Sequence, residues 1–216
     1  MSTRFVNYLN PEIPPNVETL ETPLVEATAQ TLAGYGSLVD DPDTFPIEIV
    51  PWPKPGWRNL DAGTGNEGGT TQGIFTFKWD KSTYRGQNQA VSDAYVNGWS
   101  HLPGVAPPSH RRYVYVWHAN YHPDGGQLFY PIDGQAFIAP LALPGDDITP
   151  ASFTSFYFDG TQGLYIRPGV WHEALFVAEE SARFFDKQGK VHARISVDFA
   201  GEFGCLLKVP LHPPTG

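Results

Sequence analysis

From Gly73 onward the chain alternates between apolar and polar positions with a period of two. The stretch Ile74–Trp79 alternates, and residues 112–122 do so more clearly. In a strand, Val114, Val116, His118, Asn120 and His122 then share one face, and Tyr113, Tyr115 and Trp117 share the other. Further short strands are predicted at 127–130, 135–143, 153–158, 163–166, 174–178, 184–186 and 193–199. Turn residues separate them: Pro123-Asp-Gly-Gly126, Asp133-Gly134, Pro144-Gly-Asp-Asp147, Asp159-Gly160, Pro168-Gly169 and Gln188-Gly189. Short strands at roughly 8–12-residue spacing, with no helix-length periodic segment between them, predict an all-β sandwich or barrel rather than βαβ units.

The first part of the chain reads differently. Pro11, Pro14, Pro15 and Pro23 sit among polar residues, which predicts an irregular N-terminal arm over 1–30. One short helix is expected around Glu18–Ala33, because Gly34 offers the usual stop. The proline-rich stretch 45–56 and the glycine-rich stretch 61–73 are expected to be loops. The remainder, 31–216, is expected to form one domain.

Composition narrows the function classes. The chain has 216 residues, 22 Gly and 21 Pro, which argues against a long-helix bundle. Its net charge is −9, and Arg111-Arg112 is its longest basic run, so neither nucleic acid nor an anionic membrane is the expected partner. No run reaches the roughly 18 apolar residues needed to span a bilayer, and the start lacks an apolar leader. A single cysteine, Cys205, permits no internal disulfide, so a cytoplasmic location and a buried structural thiol are expected. No G-x-S-x-G, H-E-x-x-H or phosphate-cradling loop is present.

Two constellations carry candidate chemistry. In the first, His118, Asn120 and His122 share the face of Val114 and Val116, and Gln127 follows after a glycine turn. Polar groups on a buried face need partners or a ligand. The second is Gly163 to Glu173, where a Pro-Gly turn returns the chain with His172 pointing inward. Both constellations resemble the two cupin metal motifs, with Asn120 and Gln127 standing where a first His and an acid are usual. That resemblance predicts a cupin-like antiparallel β-barrel (a jelly roll), with His122 and His172 aimed at one point. The alternative for each is a hydrogen-bonded core residue. His101, His110, His192 and His212 are expected at the surface.

A wider resemblance covers about residues 30–207. Leu32-Ala-Gly-Tyr-Gly36, His122-Pro with Gln127 and Pro131, Ala142-Leu-Pro-Gly145, Val170-Trp-His172, Leu175-Phe176, and Val197-Asp198 with Cys205 run in the order of the ureidoglycolate lyase family. Departures from that pattern are Asn120 for a usual Glu, Glu173 after the Trp-His pair, and Phe199 for a common Arg. The resemblance implies a lyase that cleaves the carbinol C–N bond of ureidoglycolate to glyoxylate and urea, in purine (allantoin) nitrogen catabolism. It further implies a homodimer. The open alternatives are another cupin enzyme, an isomerase or decarboxylase of a small hydroxy- or keto-acid, or a non-catalytic ligand-binding cupin. For the lyase, His122, His172 and Glu173 are the expected acid/base groups, since His titrates near neutrality and Glu can be tuned toward it. His118, Asn120, Gln127, Tyr130 and Tyr165 are expected to line the substrate, and Arg167 to bind its carboxylate. Val114, Val116, Phe137 and Trp171 are expected to add apolar lining. His122, Gln127 and His172 are the candidate ligands of a divalent metal ion such as nickel, zinc or manganese. The expected partner is a small anionic substrate.

Overall fold

The computed structural model describes residues 7–51, 53–54, 56–65, 68–190 and 193–213. Among these the chain forms sixteen strands: β1 (Glu18–Glu21), β2 (Leu24–Glu26), β3 (Gly36–Val39), β4 (Thr70–Asp80), β5 (Thr83–Asn88), β6 (Asp93–Trp99), β7 (Tyr113–Val116), β8 (His118–Tyr121), β9 (Gln127–Pro131), β10 (Phe137–Ala142), β11 (Thr154–Phe158), β12 (Gly163–Ile166), β13 (Trp171–His172), β14 (Ser181–Gly189), β15 (Ile195–Asp198) and β16 (Cys205–Pro210). One five-residue helix, α1 (Phe199–Phe203), starts on Asp198, whose side chain accepts from the Gly201 N–H. It stops at Gly204, whose left-handed backbone suits a glycine.

The all-β expectation holds; the closed barrel does not form. The strands assemble into a ten-stranded sheet, β1-β16-β7-β6-β5-β4-β14-β9-β12-β3, and a six-stranded sheet, β15-β8-β13-β10-β11-β2. The two sheets face each other and bury one apolar interior between them. Phe137 of the smaller sheet meets Phe184 of the larger edge-to-face at 5.2 Å. Pairing is antiparallel except at two places, where β1 runs parallel to β16 and β2 parallel to β11.

Those parallel pairings overturn the helix expected around Glu18–Ala33. Residues 18–26 are extended, because their backbone groups are taken up by strands more than a hundred residues away. Leu20 stands opposite Leu207, and Val25 opposite Phe156. Strands β5 and β6 were not predicted, nor was an edge strand at 36–39. Conversely, 174–178 forms no strand and touches β10 through a single bridge, Ile138 to Phe176.

The alternating run 112–122 is two strands in different sheets. It breaks at Trp117, which is buried and donates its indole N–H to the Val96 carbonyl at 2.7 Å. β7 therefore lies in the larger sheet and β8 in the smaller one. Crossing over at Trp117 keeps the inward parity of Val114, Val116 and His118, all of which are buried. No helix among the described residues is long and apolar enough to cross a membrane.

Candidate active site

Between the sheets lies a pocket lined by both. The larger sheet contributes Phe75 of β4, Asn88 of β5, Tyr95 and Asn97 of β6, and Gln127 and Phe129 of β9. The smaller one contributes His118 and Asn120 of β8 and His172 of β13. His122, Glu173, Ala174 and Arg194, from the connecting segments, complete the lining. The open space among them is about 40 Å³, room for little more than a water molecule or two.

His122 and His172 converge as their two motifs predict, with ring centroids 5.1 Å apart. The Pro168-Gly169 turn brings this about. Gly169 takes φ +83°, and its N–H donates to the His122 carbonyl at 2.9 Å, tying the end of β8 to the start of β13. Each ring is anchored through Nδ1: His122 to the Ala193 carbonyl at 2.9 Å, and His172 to the Val170 carbonyl at 2.8 Å. A carbonyl only accepts, so both Nδ1 atoms carry hydrogen. Burial pushes the His172 imidazole below its ordinary pKa.

The third imidazole is placed differently. His118 Nδ1 lies 2.9 Å from Glu173 Oε2, and Asn97 Nδ2 donates to Glu173 Oε1 at 2.7 Å. All three side chains are buried. His118 Nε2 is buried without a hydrogen-bond partner. Glu173 thus faces an imidazole and an amide and orients the His118 ring. Asn120 stands opposite His172 in register and makes only a long 3.5 Å contact to its carbonyl.

Behind these groups runs a chain of amides. Gln127 bridges His172 Nε2, at 3.1 Å, and Asp186 Oδ1, at 2.8 Å. Asn88 and Gln188 both donate to Asp186 Oδ2, at 2.9 and 3.1 Å. Asp186 has 0% exposure, and burial pushes its carboxyl up to about 7.

Arg194 is the cation in the lining among the described residues. Its Nε donates to Asp61 at 2.7 Å and its Nη1 reaches the Tyr95 hydroxyl at 3.4 Å. Its guanidinium also lies 4.5 Å from the centre of the Tyr8 ring. Two of its five donors are engaged in these bonds, leaving others for a ligand.

Six expected residues meet in this pocket: His118, Asn120, His122, Gln127, His172 and Glu173. Tyr130, Tyr165 and Arg167 do not. Strand parity explains the tyrosines. Gln127 and Phe129 point inward, so Leu128 and Tyr130 point outward, and Tyr165 pairs with Leu128 on that outer face. There it packs on Phe45 and accepts from the Glu48 N–H. Arg167 lines a separate open cleft with Glu48, Trp57 and Asp146. The apolar lining is Phe75, Phe129 and Ala174, whereas Val114, Val116, Phe137 and Trp171 belong to the core. His110 and His212 are exposed, His101 is half-buried, and His192 lies outside the described residues. Cys205 is half-buried at the start of β16, just after α1, not fully inside as expected.

Asn88, Asn97, Asp186 and Arg194 were missed. A lone acid at an inward position of 184–186 was the available signal for Asp186. Arg194 had none, because its partners Asp61 and Tyr8 lie far away in sequence.

The donors do not fit a resident divalent ion. His122, Gln127 and His172 offer two neutral imidazoles and one amide, and an amide is a weak ligand. Gln127 is in turn held by Asp186. Among the described residues no group of three His, Cys, Asp or Glu is arranged to hold a metal.

Comparison with known proteins fits the motif order. The profile of the family described as Ureidoglycolate lyase matches residues 23–194, most of the chain. The chain belongs to the ureidoglycolate lyase family. Curated proteins called "Ureidoglycolate lyase" from Salmonella newport and Salmonella typhimurium are each 30% identical over 92 residues. That alignment covers 42% of this chain and 51% of each relative, so the match spans about half the length of these proteins. The pocket of this chain is lined by Asn120 and Glu173, which depart from the pattern described above, and Glu173 is the group bonded to His118.

Proposed function

We propose that the chain is a lyase that releases urea from ureidoglycolate, giving glyoxylate, within a cupin-like two-sheet shell. The observation that carries this reading is the His118–Glu173–Asn97 array beside Arg194. A carbinol C–N bond breaks when a base removes the hydroxyl proton while the leaving nitrogen gains one. His118 Nε2 is the base: Glu173 holds hydrogen on Nδ1, so the lone pair of Nε2 is kept for the substrate. The hydroxyl proton passes to Nε2, the C–O bond becomes a carbonyl as C–N breaks, and the same imidazolium returns the proton to the departing urea nitrogen. Protons balance without a second acid.

Arg194 takes the role expected of Arg167, pairing with the substrate carboxylate in a chain whose net charge is −9. Phe75 and Phe129 exclude water, which strengthens these interactions. No step uses a metal ion. The test is an assay of purified protein with racemic ureidoglycolate, measuring glyoxylate and urea. Equal amounts of the two, consumed from one enantiomer and above the spontaneous rate, are expected. Turnover indistinguishable from buffer removes the reading.

A further inference from the structure

Asp186 has no part in the steps above, yet it is a carboxyl group sealed between the sheets with no cation beside it. The groups that face it are Asn88 of β5, Gln127 of β9 and Gln188 of its own strand; Gly73 of β4 and Phe129 of β9 stand opposite it in register. None of these is ionisable. The titratable and charged groups sharing the adjoining pocket are Tyr95, His118, His122, His172, Glu173 and Arg194.

Counting hydrogens along the chain Val170–His172–Gln127–Asp186 leaves two consistent arrangements. With Gln127 Oε1 against His172 Nε2 and Nε2 against Asp186, both acceptors demand hydrogen from the imidazole, because Val170 already takes Nδ1–H. His172 is then an imidazolium and Asp186 a carboxylate, two charges inside the sandwich. Turning the amide by half a turn leaves every heavy atom in place. Gln127 then donates to an unprotonated His172 Nε2, and its oxygen accepts from an Asp186 hydroxyl at Oδ1. Asp186 Oδ2, now a carbonyl, still accepts from Asn88 and Gln188. All partners are satisfied and no charge is buried. The burial shifts of both groups, His172 downward and Asp186 upward, favour this second arrangement.

We propose that Asp186 is a positioning residue: as a carboxylic acid it turns the Gln127 amide nitrogen toward His172, holds His172 as a neutral Nδ1–H imidazole, and presents an N–H donor at the pocket floor. The substrate group seated there is therefore a hydrogen-bond acceptor, such as a ureido carbonyl oxygen. The proposal deepens the lyase reading for its substrate, while the hydrogen arrangement itself stands apart from any activity.

Two measurements test it. Nitrogen NMR of histidine-labelled protein, with His172 assigned through a His172→Gln variant, reads the tautomer directly. At pH 6 the His172 Nδ1 is expected protonated and Nε2 unprotonated in both wild type and Asp186→Asn. At pH 9 the wild-type Nε2 signal is expected to shift, because Gln127 turns its nitrogen to the carboxylate; the Asn variant, which always donates from that position, stays unchanged. A protonated Nε2 at pH 6, or no difference at pH 9, overturns the proposal. In the assay, Asp186→Leu is expected to lower kcat/KM at least tenfold at pH 6, and Asp186→Asn to restore it. The Asn variant is also expected to lack the descending alkaline limb of the wild type. A folded Asp186→Asn protein as slow as the Leu variant overturns the proposal, because a donor then does not suffice. Wild-type protein without turnover removes the lyase reading, and the NMR result decides this one alone.

Discussion

Replacing Asp186 by Asn should change how stability depends on pH more than any other single substitution in the site. Asp186 has 0% exposure and its carboxyl is raised from the ordinary 3.8 to about 7. A raised acid holds its proton in the folded state at pH values where the unfolded chain has released it. Its contribution is therefore fully present below about pH 4 and is lost as pH rises toward about 7. A displacement of about 3 pH units at about 1.4 kcal/mol each amounts to roughly 4 kcal/mol over that window. Against a typical stability of about 5–15 kcal/mol this is a large fraction. Asn is isosteric with the protonated acid and carries no titrating group, so the variant lacks this slope. His172 titrates in both proteins and cancels in the difference. Urea denaturation of both proteins at intervals from pH 4.5 to 8.5 reads the effect. Asn should be near-neutral at the acid end and the more stable protein, by a few kcal/mol, at the alkaline end. Parallel stability curves would refute the burial argument, since Asp186 would then be ionised in the fold throughout.

Glu173→Gln should lower kcat by about 100-fold or more with a smaller effect on KM, because an amide no longer fixes hydrogen on His118 Nδ1; steady-state kinetics with a circular dichroism control checks this. Arg194→Met should act mainly on KM, raising it at least tenfold through the lost carboxylate partner, and added guanidinium should recover part of the loss. Prolonged dialysis against a chelator should leave both the melting temperature and turnover unchanged, since two neutral imidazoles and an amide make a weak donor set; loss of activity restored by one divalent metal would contradict that. Phe77→Ala, at a ring that is 0% exposed and stacked on Phe75 at 4.3 Å, should cost about 3–5 kcal/mol in denaturant unfolding.

How far the sequence could be read depended on whether a residue's partners were local. The parity of 112–122 showed which side chains face inward, and it survives even though Trp117 passes the chain from one sheet to the other. Gln127 and His172 were legible because a turn with fixed chemistry precedes each. Tyr130 and Tyr165 were misplaced by one step of parity: in a period-two element a neighbour of an inward residue faces out. Residues 18–26 contain Pro23, which a helix interior does not tolerate, and pairing with β16 and β11 makes them extended, a tertiary effect that the Gly34 stop signal does not contain. Asp186 and Arg194 were hidden for the same reason. Each is an ordinary charged residue in its own segment, and its role exists only once three strands, or a loop and the N-terminal region, bring amides, Asp61 and Tyr8 around it.

The central claim is that His118, oriented by Glu173, moves the proton that breaks the C–N bond. The most direct measurement follows glyoxylate formation from ureidoglycolate by wild-type protein and a folded His118→Gln variant side by side. The account predicts turnover by the wild type and a loss of at least 100-fold in kcat for the variant, with its melting temperature within a few degrees of the wild type. Equal rates for the two proteins would contradict it and move the base elsewhere in the pocket.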